Sequence, residues 1–119
     1  MLDQIASGSP IKPVRWCGAS RSTIRAFPAD ARRELGHQLH RLQLGKVATD
    51  WKPFAAIGPG VIEIRIHSVL EYRMIVVSKF REAIYVLNVF VKRTTRTARR
   101  DVDLARQRYG VLLREQGQK

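Results

Sequence analysis

Acidic side chains are what this sequence lacks most. Ten Asp and Glu stand against twenty-two Lys and Arg in 119 residues, a formal net charge of +12. An excess of that size repels itself in a compact chain, and it points to a polyanionic partner: nucleic acid, an anionic membrane surface or an acidic protein. Cysteine is almost missing as well. Cys17 stands alone, which excludes an intrachain disulfide and a zinc site made of thiolates only. Its place between Trp16 and Gly18 suits a buried structural thiol. No apolar run reaches the length that spans a bilayer, and residues 1–11 have neither the basic start nor the apolar middle of a signal peptide. The expected compartment is the reducing cytoplasm, with no membrane partner. A Walker-type phosphate loop is missing too; Gly58-Pro59-Gly60 reads as a turn.

What is present suits one small domain. Hydrophobic residues make up 45% of the chain, enough for a modest core at this length. Residues 1–13, rich in Ser, Gly and Pro, read as a loose arm, residues 14–115 as the domain, and residues 116–119 as a fraying tail. Val14–Cys17 suggests a short early strand and Ser20–Ala26 a short helix or turn. Pro28 suits the first turn of a longer helix, whose apolar face is Ala31, Leu35, Leu39 and Leu42 and whose stop is Gly45. Lys46–Gly60 reads as a loop.

Three strand-like runs follow. Ile62, Ile64 and Ile66 alternate with Glu63, Arg65 and His67, so one face is apolar and the other polar. Tyr72–Ser78 and Ala83–Val91 carry the β-branched and aromatic residues of buried strands. The connections at Ser68–Leu70 and Lys79–Arg81 are short enough for hairpins. Thr97 is the expected N-cap of a last helix with Val102, Ala105, Tyr109 and Leu112 on one face. The fold class is therefore α+β: a small antiparallel sheet, a three-stranded meander that the early strand can join, flanked by helices.

Two constellations carry the chemistry. If residues 68–70 form a three-residue loop, His67 faces Glu71 and Arg65 faces Arg73, two arginines directly opposed on one sheet face. Like charges in that position destabilise, unless a carboxylate such as Glu63 offsets them or an anion lies between their planar guanidinium forks. A two-residue loop would put Arg73 on the other face. The second constellation is Lys92, Arg93, Arg96, Arg99 and Arg100, five cations in nine residues with no acid among them. It leaves the last strand and can join the Arg65–Arg73 face in one patch, or remain a solvated basic turn. His67 is the histidine placed for proton transfer, with Glu63 as its rival. His37 and His40 read as surface residues, and no metal site is expected. Trp51 and Tyr109 are the aromatics of the size that stacks on bases, although Tyr109 falls on an apolar helix face and is expected in the core.

Asp50-Trp51-Lys52-Pro53-Phe54, Ile57 to Arg65, Glu71-Tyr72-Arg73, Phe90 to Thr94 and Asp101–Ala105 together resemble the phage-derived Gp49-like branch of the RelE/HigB toxin superfamily, over about Phe27 to Leu113. The resemblance implies a RelE-like α+β fold and a type II toxin that cuts mRNA, usually on the ribosome, needs no cofactor, and is neutralised by a cognate antitoxin, commonly a helix-turn-helix protein. By the same resemblance Arg65 and Arg73 grip and polarise the scissile phosphate, Lys92 and Arg93 form the basic pair closing the last strand, and His67 transfers a proton. Lys52, Arg96, Arg99 and Arg100 are the further expected RNA contacts. Two other readings of the same charge stay open: a basic RNA- or DNA-binding module without catalysis, and a basic phage–host interaction protein.

Overall fold

The computed structural model describes residues 11–117. In chain order the elements are β1 (Val14–Trp16), α1 (Ser20–Arg25), α2 (Ala29–Gln43), β2 (Trp51–Pro53), β3 (Val61–His67), β4 (Glu71–Val77), β5 (Ile84–Val91) and α3 (Arg99–Glu115). The short connections force β3, β4 and β5 into an antiparallel meander, as their lengths require. Two further strands extend it into one five-stranded sheet of order β1-β5-β4-β3-β2.

The early strand joins the sheet as the sequence allowed, but in parallel, and β2 was not expected. β1 joins the far side of β5 in parallel, Val14 opposite Ile84 and Trp16 opposite Val86, so the sheet is mixed rather than wholly antiparallel. The chain can do this because α1 and α2 lie between β1 and the meander, giving the long crossover a parallel pair needs. β2 forms inside the stretch read as a loop. Its three residues pair with Ile62–Ile64, too short a run for any periodicity, and Pro53 stands at the edge of the sheet, where a missing N–H is tolerated.

Helices cover both faces of the sheet. On one side Leu35, Leu39 and Leu42 of α2, with Ile24 of α1, pack on Ile64, Ile66, Met74, Val76, Ile84 and Val86. On the other, Ala105, Tyr109 and Leu112 of α3 pack on Val61, Ile75, Val77, Tyr85 and Leu87. Burying each large aliphatic side chain contributes roughly 1.5–3 kcal/mol. A bulge in the β4–β5 ladder at Ile75/Val76 adds one residue to β5, so Phe90 as well as Tyr85 joins the α3 side.

The ends of α2 follow the sequence closely. Pro28 is its N-cap rather than its first turn, and Arg32 N–H donates to the Pro28 carbonyl at 3.0 Å. At the other end Gly45 takes φ +82°, Gly45 N–H reaches the Leu42 carbonyl and Lys46 N–H the Arg41 carbonyl, the paired bonds of a Schellman stop. α3 starts differently from expectation. Its N-cap is Ala98, which has no side chain to cap with, and Thr97 is turned to another use described below.

Of the arm expected over 1–13, residues 1–10 lie outside the described residues. Residues 11–13 run along the sheet: Lys12 Nζ donates to the Ser78 carbonyl at 2.7 Å, and the Lys12 carbonyl accepts from Gln43 at 2.6 Å. Of the expected tail, residues 118–119 lie outside the described residues, and Gln116 Nε2 donates to Glu82 and to the Tyr85 hydroxyl at 2.8 and 2.9 Å. Cys17 is half-buried, and burial raises its thiol pKa. No described helix is long and apolar enough to cross a membrane.

Candidate functional site

Residues 61, 63, 65 and 67 of β3 share a sheet face with 71, 73, 75 and 77 of β4. α3 covers the end of that face where these positions are apolar and leaves the polar end open. The connection from β5 to α3 rises beside the opening. The result is a cleft of about 610 Å³, floored by Glu63, Arg65, His67 and Arg73 and walled by Asp50, Lys52 and Phe54 on one side and Lys92, Thr95, Arg96 and Thr97 on the other.

The hairpin register is the one a three-residue loop dictates. Arg65 is opposite Arg73 and His67 opposite Glu71. The offsetting carboxylate is not Glu63, however. Arg65 NH1 donates to Asp50 Oδ1 at 3.2 Å, and Arg73 NH1 donates to Glu71 Oε1 at 3.1 Å and to the Tyr72 carbonyl at 2.9 Å. Arg73 is buried, and its Nε has no partner among the described residues. His67 stands between the two acids, Nε2 at 2.7 Å from Asp50 Oδ2 and Nδ1 at 2.9 Å from Glu71 Oε1. The imidazole hydrogen bonds hold both carboxyls below their usual range and raise the His67 pKa, the Asp50 bond first and the Glu71 bond second.

Glu63 belongs to a separate arrangement. Only 1% exposed, it accepts a 2.7 Å hydrogen bond from the Thr97 hydroxyl on Oε2, and Lys52 Nζ, from its direct partner position on β2, lies 3.6 Å from Oε1. The expected polar strand face is therefore covered here, and a buried carboxylate is satisfied by the very threonine expected to cap α3. At the other end of the wall Lys92 Nζ donates to the Thr95 carbonyl at 2.6 Å. The connection is thus braced at both ends.

Of the residues expected to act, Arg65, His67, Arg73 and Lys92 meet in the cleft, joined by Lys52 and Arg96. Arg93, Arg99 and Arg100 do not line it. They are exposed, and Arg99 faces Asp103 at 3.6 Å one turn along α3. The expected single patch therefore takes in only Lys92 and Arg96 of the five cations, because the connection lays Lys92 and the run Thr95–Thr97 along the cleft and carries Arg93, Arg99 and Arg100 outside it. His37 and His40 are exposed on α2, and Tyr109 is buried with its hydroxyl donating to the Pro59 carbonyl at 3.3 Å. Among the described residues no group of acids, histidines and Cys17 is arranged to hold a metal ion.

Asp50, Glu71 and Thr97 are the members that inspection of charge alone overlooks. The signal for Glu71 was its register opposite His67. For Asp50, fifteen residues before Arg65, only the pairing of β2 with β3 brings it to the site.

A braced basic cleft at the open end of a mixed sheet, inside a small α+β domain, is the class of protein that the fold defines. The chain belongs to the family described as phage-derived protein Gp49-like (DUF891), whose model matches residues 22–110, well over half of its length. No curated protein matches the chain.

Proposed function

We propose that this chain is a toxin of the RelE/HigB type: a cytoplasmic endoribonuclease that cuts mRNA, acts on the ribosome, and is neutralised by a cognate antitoxin of the helix-turn-helix kind. The observation that carries the reading is the placement of Arg65 and Arg73 as direct partners on the floor of a cleft that also holds His67. RNA brings its own nucleophile. Its 2′-hydroxyl attacks the adjacent phosphorus, so the protein's tasks are to align that oxygen, to neutralise charge gathering on the phosphorane and to move protons. Arg65 and Arg73 are the charge-bearing groups, with Lys92 near the leaving side, and His67 is the proton-transfer group. Lys52 and Arg96 meet flanking phosphates at the rim, and Arg93, Arg99 and Arg100 add long-range attraction outside the cleft. With the nucleophile supplied by substrate and the positive charge by arginine, the cleavage step itself asks the protein to bring no metal ion.

The test is cleavage of mRNA in a translating extract and growth arrest on induction in cells. Arg65 is half exposed, so Arg65→Ala should fold normally and lose roughly 10²–10³ in rate, the usual worth of one preorganised donor. Full activity of Arg65→Ala would show the site assignment to be wrong. RNA binding that persists in the wild type with no cleavage would instead identify a binding module.

A further inference from the structure

Asp50 is held from three directions. Gln38 on α2, 2% exposed, accepts the Thr49 N–H on Oε1 at 2.8 Å and donates to the Thr49 hydroxyl at 3.1 Å, fixing the residue before it. The Asp50 carbonyl accepts the Arg65 N–H at 2.8 Å. Its carboxylate then spans Arg65 and His67. On the other side of the imidazole ring Glu71 brings both oxygens to 2.9 and 3.0 Å from Nδ1.

A neutral imidazole has one N–H and one lone pair. Between two carboxylates it would turn the lone pair on one of them, whereas an imidazolium donates to both. The cations around the ring oppose its charge: Arg65 and Arg73 on the flanking strand positions, and Lys52, Lys92 and Arg96 across the cleft. Arg65 and Arg73 are already paired with the same two carboxylates, and Lys52 lies nearest Glu63. The acids in direct contact therefore dominate, and the His67 pKa is raised.

We infer that Asp50 and Glu71 hold His67 as an imidazolium with both ring nitrogens protonated, so that His67 is the proton donor to the leaving oxygen and Asp50 is its positioning residue. The inference rests on the ribonuclease reading and deepens it. In the step, the 2′-oxygen bonds to phosphorus as the bond from phosphorus to the 5′-oxygen breaks. With Asp50 keeping Nε2, the 5′-oxygen takes the place of Glu71 at Nδ1 and receives the Nδ1 proton, and the 2′-hydroxyl proton goes to water. The products are a 2′,3′-cyclic phosphate and a 5′-hydroxyl, and His67 takes a proton back from water.

Titration of the full-length protein followed by NMR of the imidazole protons, the His67 resonance identified by its absence in His67→Gln, should show a midpoint above the ordinary imidazole value of about 6.5. Asp50→Asn should bring the His67 midpoint down toward that value, with Glu71→Gln moving it less. In the cleavage assay the rate should fall as pH rises through the wild-type His67 midpoint, and in Asp50→Asn that fall should begin at lower pH. A wild-type His67 midpoint at or below about 6.5 overturns the bracket, whatever the variants do. A high midpoint with a rate that rises through it overturns the donor role. If the wild type cleaves nothing, the ribonuclease reading and the donor role both fall, while the NMR titration still decides whether Asp50 and Glu71 hold the imidazolium.

Discussion

Arg65 and Arg73 sit directly opposite each other across the β3–β4 ladder, and their guanidinium groups turn to different carboxylates, Asp50 at 3.2 Å and Glu71 at 3.1 Å. The cost of opposing two like charges on a sheet face is met locally, and His67 ties the two acids together from the middle. On the proposed reading, a phosphate entering the cleft would exchange with these two partly exposed carboxylates. The site is thus charged and ready without being an open pool of positive charge.

Arg96 is exposed and lines the cleft with no ion-pair partner among the described residues, so its guanidinium is free to meet an anion. Binding to single-stranded RNA should weaken with salt at a slope of about −0.7 per phosphate contacted. Arg96→Ala should make that slope shallower by about 0.7. Fluorescence anisotropy across a salt series measures it, and an unchanged slope would remove Arg96 from the interface.

Among the described residues Thr97 is the sole hydrogen-bond donor to the nearly inaccessible Glu63 carboxylate, with Lys52 at a longer 3.6 Å. Thr97→Val keeps the side-chain shape and strands a buried acceptor. The expected loss of stability is about 1–3 kcal/mol by denaturant titration. Thr97→Ser, which keeps the hydroxyl, should recover most of it. Equal losses in both variants would contradict the hydrogen bond's role.

Gly58 lies against the ring of Tyr109, and a Cβ there would come 2.4 Å from Cε2. Tyr109 cannot swing away, because it is buried against the sheet beneath α3. Gly58→Ala should therefore destabilise by about 1–3 kcal/mol. Wild-type thermal stability in this variant would mean the turn can shift without disturbing the aromatic packing.

Stability should vary with pH through the Asp50–His67–Glu71 group. The His67 pKa is raised, so its contribution is fully present below the ordinary imidazole value of about 6.5 and disappears as pH rises through the raised value. The two carboxyl pKa values are lowered, so their contribution is present above the ordinary range near 4 and is lost as pH falls through the lowered values. The triad contributes most between roughly pH 4.5 and 6.5. Melting temperatures of wild type and His67→Gln should differ most in that window and converge on its alkaline side. A difference independent of pH would rule out charge as the cause.

Much of this molecule was legible in its residues. Alternation at Ile62–His67 set the two faces of β3, the Ser68–Leu70 connection narrowed the Arg65–Arg73 register to two loop lengths of which the structure has the longer, and the Leu35, Leu39, Leu42 face with Gly45 set α2 and its end. These are local properties, decided by side-chain period and by turn length, so a one-dimensional reading recovers them. The composition likewise raised the expectation of a polyanionic partner. Tertiary structure alone decided which cations act together. β2 is three residues long and exists only because β3 offers it an edge, yet it carries Lys52 and sets Asp50 beside Arg65 and His67. The turn of the β5–α3 connection brings Lys92 and Arg96 to the cleft and leaves Arg93, Arg99 and Arg100 outside, and it gives Thr97 to Glu63 rather than to a helix end. Pairing between residues fifteen or thirty-four positions apart leaves no periodic trace, because it depends on where whole elements come to rest.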